Sequence, residues 1–131
     1  MTRPAYADEA RARWGRTEAF RESQRRASRY TTSDWEEIKR ESSAIEARIA
    51  AAMLEGWEPD STVAMDLAEA HRELLSRWFY DCSPELHRAL GSMYVEDDRF
   101  AQHYEERASG LASYLCDAIQ ANAERLGTAG I

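Results

Sequence analysis

Apolar residues recur along this chain at steps of three and four, the spacing that gathers side chains on one face of an α-helix. Trp35, Ile38, Ser42, Ile45, Ile49 and Met53 form one such face. Val63, Leu67, His71, Leu74, Leu75 and Trp78 form a second, and Leu86, Leu90, Met93 and Tyr94 a third. Leu111, Tyr114, Leu115, Ala118, Ile119 and Asn122 form the last. Shorter, more polar helices are predicted over 5–14, over 17–30 with Phe20 as anchor, and around Phe100 and Tyr104. Val63 and Val95 are the only valines, and no alternating β-branched run occurs, so strands are not expected. The pattern predicts an all-α bundle of about six to seven helices.

Punctuation agrees with this division. Ser33-Asp34-Trp35-Glu36 reads as a capping box, in which the serine accepts a backbone N–H and the glutamate reaches back. Gly15, Gly56 and Gly127 stand where helices would stop. Asp60 or Ser61 starts the His71 helix, Ser83-Pro84 the next, with proline at the first helical position, and Asp97 or Asp98 the one after.

At 131 residues the chain is expected to be one domain, 1–131, with its helical core over 34–126 and a fraying tail over 127–131. Residues 1–33 stand apart. Their large apolar groups are Tyr6, Trp14, Phe20 and Tyr30, a small return for the ~1–2 kcal/mol of backbone entropy each ordered residue costs. These helices are expected to be mobile, marginal and open to ordering on ligand binding. They are also basic: eight arginines against Asp8, Glu9, Glu18 and Glu22, within a chain of net charge −7. An Arg-rich arm can contact nucleic acid, but this one is broken up by acids and the body would repel phosphates, so no direct nucleic-acid contact is expected. No apolar run suits a membrane or a signal peptide, which points to the cytoplasm. A monomer is expected.

Reactive chemistry is sparse. His71, His87 and His103 are each sixteen residues apart, and Cys82 and Cys116 have no close histidine pair, so neither a metal site nor a cofactor is expected. Cys82 could be a reactive thiol at a helix start or a small buried group at a tight corner; the second is the commoner case. His71, on an apolar stripe, reads equally as a bonded core histidine or as a pocket-lining donor. Trp57 and Trp78 bracket the same helix from opposite ends and do not share one small site. The densest feature is residues 76–100, where Trp78-Phe79-Tyr80 meets the corner Asp81-Cys82-Ser83-Pro84, with His87, Met93 and Tyr94 just beyond. So many aromatics at a corner suggest the wall of an apolar, stacking pocket.

An ordered set of motifs covering roughly residues 6–125 resembles the antibiotic-recognition domain of TipA-type proteins. Arg13-Trp14-Gly15-Arg16-Thr17-Glu18-Ala19-Phe20 opens the resemblance, and Tyr30-Thr31-Thr32-Ser33-Asp34-Trp35 continues it. Ala64-Met65-Asp66, Ala70-His71-Arg72, Tyr80-Asp81-Cys82, His87, Leu90-Gly91, Met93-Tyr94-Val95 and Arg99-Phe100 follow in order, with Gly110-Leu111-Ala112, Tyr114 and Asp117-Ala118-Ile119 closing it. The resemblance implies a globin-like fold and a thiopeptide or another large, flat antibiotic in a cleft, with the N-terminal helices ordering over it. Taken with the aromatic corner, the candidate ligand-binding residues are His71, Trp78, Phe79, Tyr80, His87, Met93, Tyr94, Tyr114 and Trp14.

Two departures matter. The family's attachment cysteine, seven positions after that of Tyr-Asp-Cys, is replaced here by Ala89, and Cys82 should lie about 8–11 Å from that point. Binding is therefore expected to be reversible. Trp78-Phe79 also replaces smaller or polar residues, making the wall more aromatic. The chain opens on a methionine with no room for a DNA-binding region, which favours a stand-alone binder that sequesters the drug without chemistry. The effector half of a MerR-type activator is the alternative, and an enzyme using Cys82 or His87 on the drug is a third reading.

Overall fold

The computed structural model describes residues 18–127. The expected helix over 5–14, its Gly15 stop, the Thr17 cap, Trp14 and the end of the tail lie outside the described residues. Within them the chain forms six helices and no strand: α1 Glu18–Ala27, α2 Thr32–Leu54, α3 Thr62–Trp78, α4 Pro84–Glu96, α5 Asp98–Arg107 and α6 Leu111–Arg125.

Most starts are those the sequence offers. Ser61, Ser83 and Asp97 accept from the amides of Ala64, Leu86 and Arg99, and Pro84 opens α4. The capping box of α2 is a correction: it is made by Thr31 and Asp34, not by Ser33 and Glu36. The Asp34 amide donates to Thr31 Oγ1 (3.1 Å) while the Thr31 amide donates to Asp34 Oδ2 (2.9 Å). Thr31 and Ser33 both suit the cap, and the earlier one gains two residues of helix while keeping a reciprocating acid three residues on. The apolar face of α2 is unaffected. α1 ends at Ala27 rather than near Tyr30. Gly56 turns the chain out of α2 at φ +90°, a conformation glycine adopts without a Cβ penalty.

α4 lies along α6, closely enough that a Cβ on Gly91 would come within 3.3 Å of Ile119. α3 packs between α2 and α6, and α5 covers one end of α4 and α6. Met93, Leu111, Leu115 and Ile119 are fully enclosed at this centre. α6 begins at a glycine, Gly110, which has no side chain to cap it. Glu105 of α5 caps it instead, accepting from the amides of Gly110 (2.8 Å) and Ala112 (3.0 Å).

α1 is too short to persist alone. It is held by the buried ring of Phe20 and, against α3 and the following corner, by Arg26, which donates to the Ser76 carbonyl (2.6 Å) and to Asp81 Oδ1 (3.2 Å). Just past α1, the Tyr30 hydroxyl donates to the Trp78 carbonyl, and the Tyr30 ring stands edge-on to both Trp35 and Trp78 at 5.5 Å.

Candidate functional site

Between these helices lies an apolar cavity of about 80 Å3. Phe20 and Gln24 of α1 roof it; Trp35, Ser42 and Glu46 of α2 and His71 and Leu74 of α3 form one side. Phe79 and Tyr80 of the corner, Met93 and Tyr94 of α4, and Phe100, His103 and Tyr104 of α5 complete it. Tyr94 sits at the aromatic centre, with ring centroids 5.2 Å from Tyr104, 5.5 Å from Phe100 and 5.9 Å from His71. The contacts to Tyr104 and Phe100 are tilted and that to His71 is edge-on, so the wall is a cluster of ring edges and faces rather than a parallel stack.

Arg72 and Ser76 of α3 hold the α3–α4 corner. Arg72 pairs with Glu69 in a two-pronged contact and donates to the Cys82 carbonyl at 2.7 Å. The Cys82 amide donates to Ser76 Oγ (3.0 Å). Pinned this way, Phe79 and Tyr80 leave the helical register and turn inward, where both are buried.

His71 and His87 form a buried imidazole pair, His71 Nδ1 lying 2.9 Å from His87 Nε2 with the rings stacked. Burial pushes both below the ordinary histidine range; for His87 the neighbouring His71 and the Arg72 cation push the same way, while Glu46 draws His71 weakly back. Both rings are therefore neutral at pH 7. One ring donates and the other accepts, so their outer nitrogens have opposite roles. His103, at the rim, is the converse: its hydrogen bond to Glu46 (3.0 Å) raises its pKa. Arg107 also reaches Glu46, at 3.5 Å.

Of the residues proposed from sequence, His71, Phe79, Tyr80, Met93 and Tyr94 line the cavity. His87 lies behind it, touching His71. Trp78 lies at the seam with α2, its indole N–H donating to Glu41 (3.0 Å). Tyr114 is at the far end of the bundle, its hydroxyl donating to the Trp57 carbonyl (2.8 Å). Trp14 is outside the described residues. Sequence reasoning missed Trp35, Glu46, Phe100, His103 and Tyr104 as wall residues. Ser42, a polar group on the apolar stripe of α2, was the signal that this stripe borders a cavity rather than solid core. Of the two readings of Cys82, the structure fits the small buried group at a tight corner: the thiol is buried, and burial pushes its pKa up to about 12.

An aromatic cavity roofed by a short charged helix, with polar groups at its wall and rim, defines an all-α small-molecule-binding domain. The chain belongs to the TipAS antibiotic-recognition domain family, whose sequence model matches residues 6–122. It is 45% identical over 120 residues to the HTH-type transcriptional activator TipA of Streptomyces coelicolor, covering 92% of this chain and 47% of that protein. It is 37% identical to the HTH-type transcriptional activator mta of Bacillus subtilis, covering 87% of this chain and 43% of that one. The chain thus spans about half the length of the curated relatives it matches. The solved structure of Streptomyces lividans TipAS with nosiheptide superposes with a TM-score of 0.86 at 44% identity, covering 94% of this chain and 86% of that one. The antibiotic-binding domain of a TipA-class multidrug resistance regulator superposes at 0.65, covering 70% of this chain and 97% of that one. The fold is the globin-like all-α arrangement of that family, which is a family of antibiotic-binding domains and not of enzymes. No helix among the described residues is long and apolar enough to cross a membrane.

Proposed function

We propose that this protein binds a bulky aromatic or heterocyclic antibiotic, a thiopeptide or similar, reversibly, and by sequestering it gives resistance or immunity. The observation that carries this is the cavity of Tyr94, Phe79, Tyr80, Phe100 and Tyr104 under α1, in a chain whose structural neighbour was solved with nosiheptide. Residues 1–131 act as one unit, as a cytoplasmic monomer without direct nucleic-acid contact. The cavity, at about 80 Å3, is well below the ~300–1,000 Å3 of sites that enclose drug-sized ligands. Binding such a ligand therefore requires α1 to lift and to settle again over the guest. Titrating nosiheptide and other planar antibiotics while following tryptophan fluorescence should give a Kd tighter than about 10 μM, about −7 kcal/mol. Weaker binding of every one would refute the reading.

Attachment is expected to be absent. Ala89 offers no nucleophile, Cys82 is a buried thiol, and burial also raises the pKa of Cys116. A dehydroalanine-bearing thiopeptide needs a thiolate at near-attack distance. After incubation with thiostrepton and unfolding in acid, the protein should show no mass increase. A stable adduct on either cysteine would overturn this.

A second reading, the ligand-sensing half of a transcription activator, is favoured by one finding: the curated relatives are HTH-type regulators more than twice the matched length. An in-frame helix-turn-helix region upstream of Met1 would decide for it. Ligand binding is common to both readings.

A further inference from the structure

We infer that Trp35 is a specificity-determining residue: its indole N–H is the donor that selects antibiotics carrying a carbonyl or ring-nitrogen acceptor on the edge they insert. The inference rests on the antibiotic-binding reading above. Trp35 is 6% exposed and lines the cavity, yet Nε1 has no acceptor among the described residues. An N–H buried in this way is rare, because it loses water without gaining a partner. Two titratable groups at the wall and rim are engaged already, and the second orphaned nitrogen, His87 Nδ1, belongs to a ring behind the cavity. Glu46 accepts from His103, and His71 is bonded to His87. Trp78, by contrast, has the same indole and has found Glu41.

Trp35 is also held in place. Tyr30 stands edge-on to it at 5.5 Å, and Phe79 lies tilted against it at 6.4 Å. Such a donor costs little further ordering when a ligand arrives. Its position on α2 sets a ruler as well. Trp35 and Glu46 are eleven residues apart, about 16 Å along the helix, so the cavity wall carries the Trp35 ring towards one end and a carboxylate–imidazole rim at the other. A flat, elongated heteroaromatic guest with its acceptor edge towards Trp35 fits that polarity. An aromatic of equal size without the acceptor would leave the N–H unpaired and bind less tightly.

The test uses the full chain, 15N-labelled, and Trp35→Phe, which keeps an aromatic ring and removes the N–H. Nosiheptide is one probe; quinoline and naphthalene, matched in shape and differing in the ring nitrogen, are the others. The Trp35 indole proton should move downfield with nosiheptide and with quinoline but not with naphthalene. Trp35→Phe should weaken nosiheptide about tenfold and abolish the preference for quinoline. If that variant does not fold, the indole shift in the wild-type protein decides. Nosiheptide bound with the Trp35 signal unmoved, or equal binding of quinoline and naphthalene, overturns the inference. A Trp35 shift with quinoline in a protein that ignores nosiheptide supports the indole's role and refutes the thiopeptide reading; no shift with either overturns the indole's role as well.

Discussion

Lowering the pH from 7.5 to about 4.5 should destabilise this protein steeply, with the loss beginning well before its carboxylates are protonated. The cause is the His71–His87 pair, buried and neutral. In the unfolded chain both rings titrate near ~6.5. In the folded chain both lie lower, so below that value the unfolded state binds more protons and is favoured. The stability present above about pH 6.5 is lost progressively as pH falls towards the folded pKa values. Each ring contributes up to about 1.4 kcal/mol per pH unit, so the pair loses up to about 5 kcal/mol over two units. His103 works the other way. Its pKa is raised by Glu46, so its contribution is full at low pH and lost as pH rises through the folded value. His103→Gln should therefore steepen the acid loss, and the double variant His71→Gln/His87→Gln should flatten it. Urea denaturation at half-unit pH steps measures all three. A wild-type stability that stays level between pH 6.5 and 4.5 would mean the pair is not held neutral.

The second large effect is expected at Asn122, which is fully buried on α6. Its amide donates to Glu69 Oε1 (2.9 Å), and its oxygen accepts from Arg125 Nε (2.7 Å). Glu69 has a lowered pKa, through Arg72 first and Asn122 in part. Asn122→Asp changes almost no volume but replaces the donor facing Glu69 with a second carboxylate. Two such groups cannot both ionise comfortably, and the nearby arginines and the partly exposed Glu69 offset only part of the repulsion. A loss of about 3 kcal/mol is expected at pH 7. The new acid, raised above its unfolded pKa, imposes its penalty at high pH, so the gap to wild type should narrow as pH falls towards 5. A loss below about 1 kcal/mol at pH 7 would show that this network does not fasten α6 to α3.

The helices were legible because their ends carry explicit signals: Ser61, Ser83-Pro84 and Asp97 cap as the sequence offers, and Gly56 stops α2. The α2 start moved by two residues where two hydroxyls competed for one cap. The site was only half legible, because periodicity tells which face is buried but not what it is buried against. Tyr114 shares a stripe with core residues yet ends beside Trp57, and Trp78, the last residue of α3, turns to Glu41 instead of the cavity. The meeting of His71 with His87 crosses two helices and leaves no trace in spacing. Trp35 looked like a core residue; its unpaired N–H could be seen only once its neighbours were in place.

The borrowed cap at the α5–α6 corner has a consequence for how this end of the molecule opens. Because Gly110 brings no side chain, the first amides of α6 depend on a carboxylate from the preceding helix. When α5 frays, Glu105 leaves with it and α6 loses its start in the same event. In native-state hydrogen exchange the Gly110 and Ala112 amides should therefore exchange in step with the backbone of α5, marking one cooperative unit that spans the two helices.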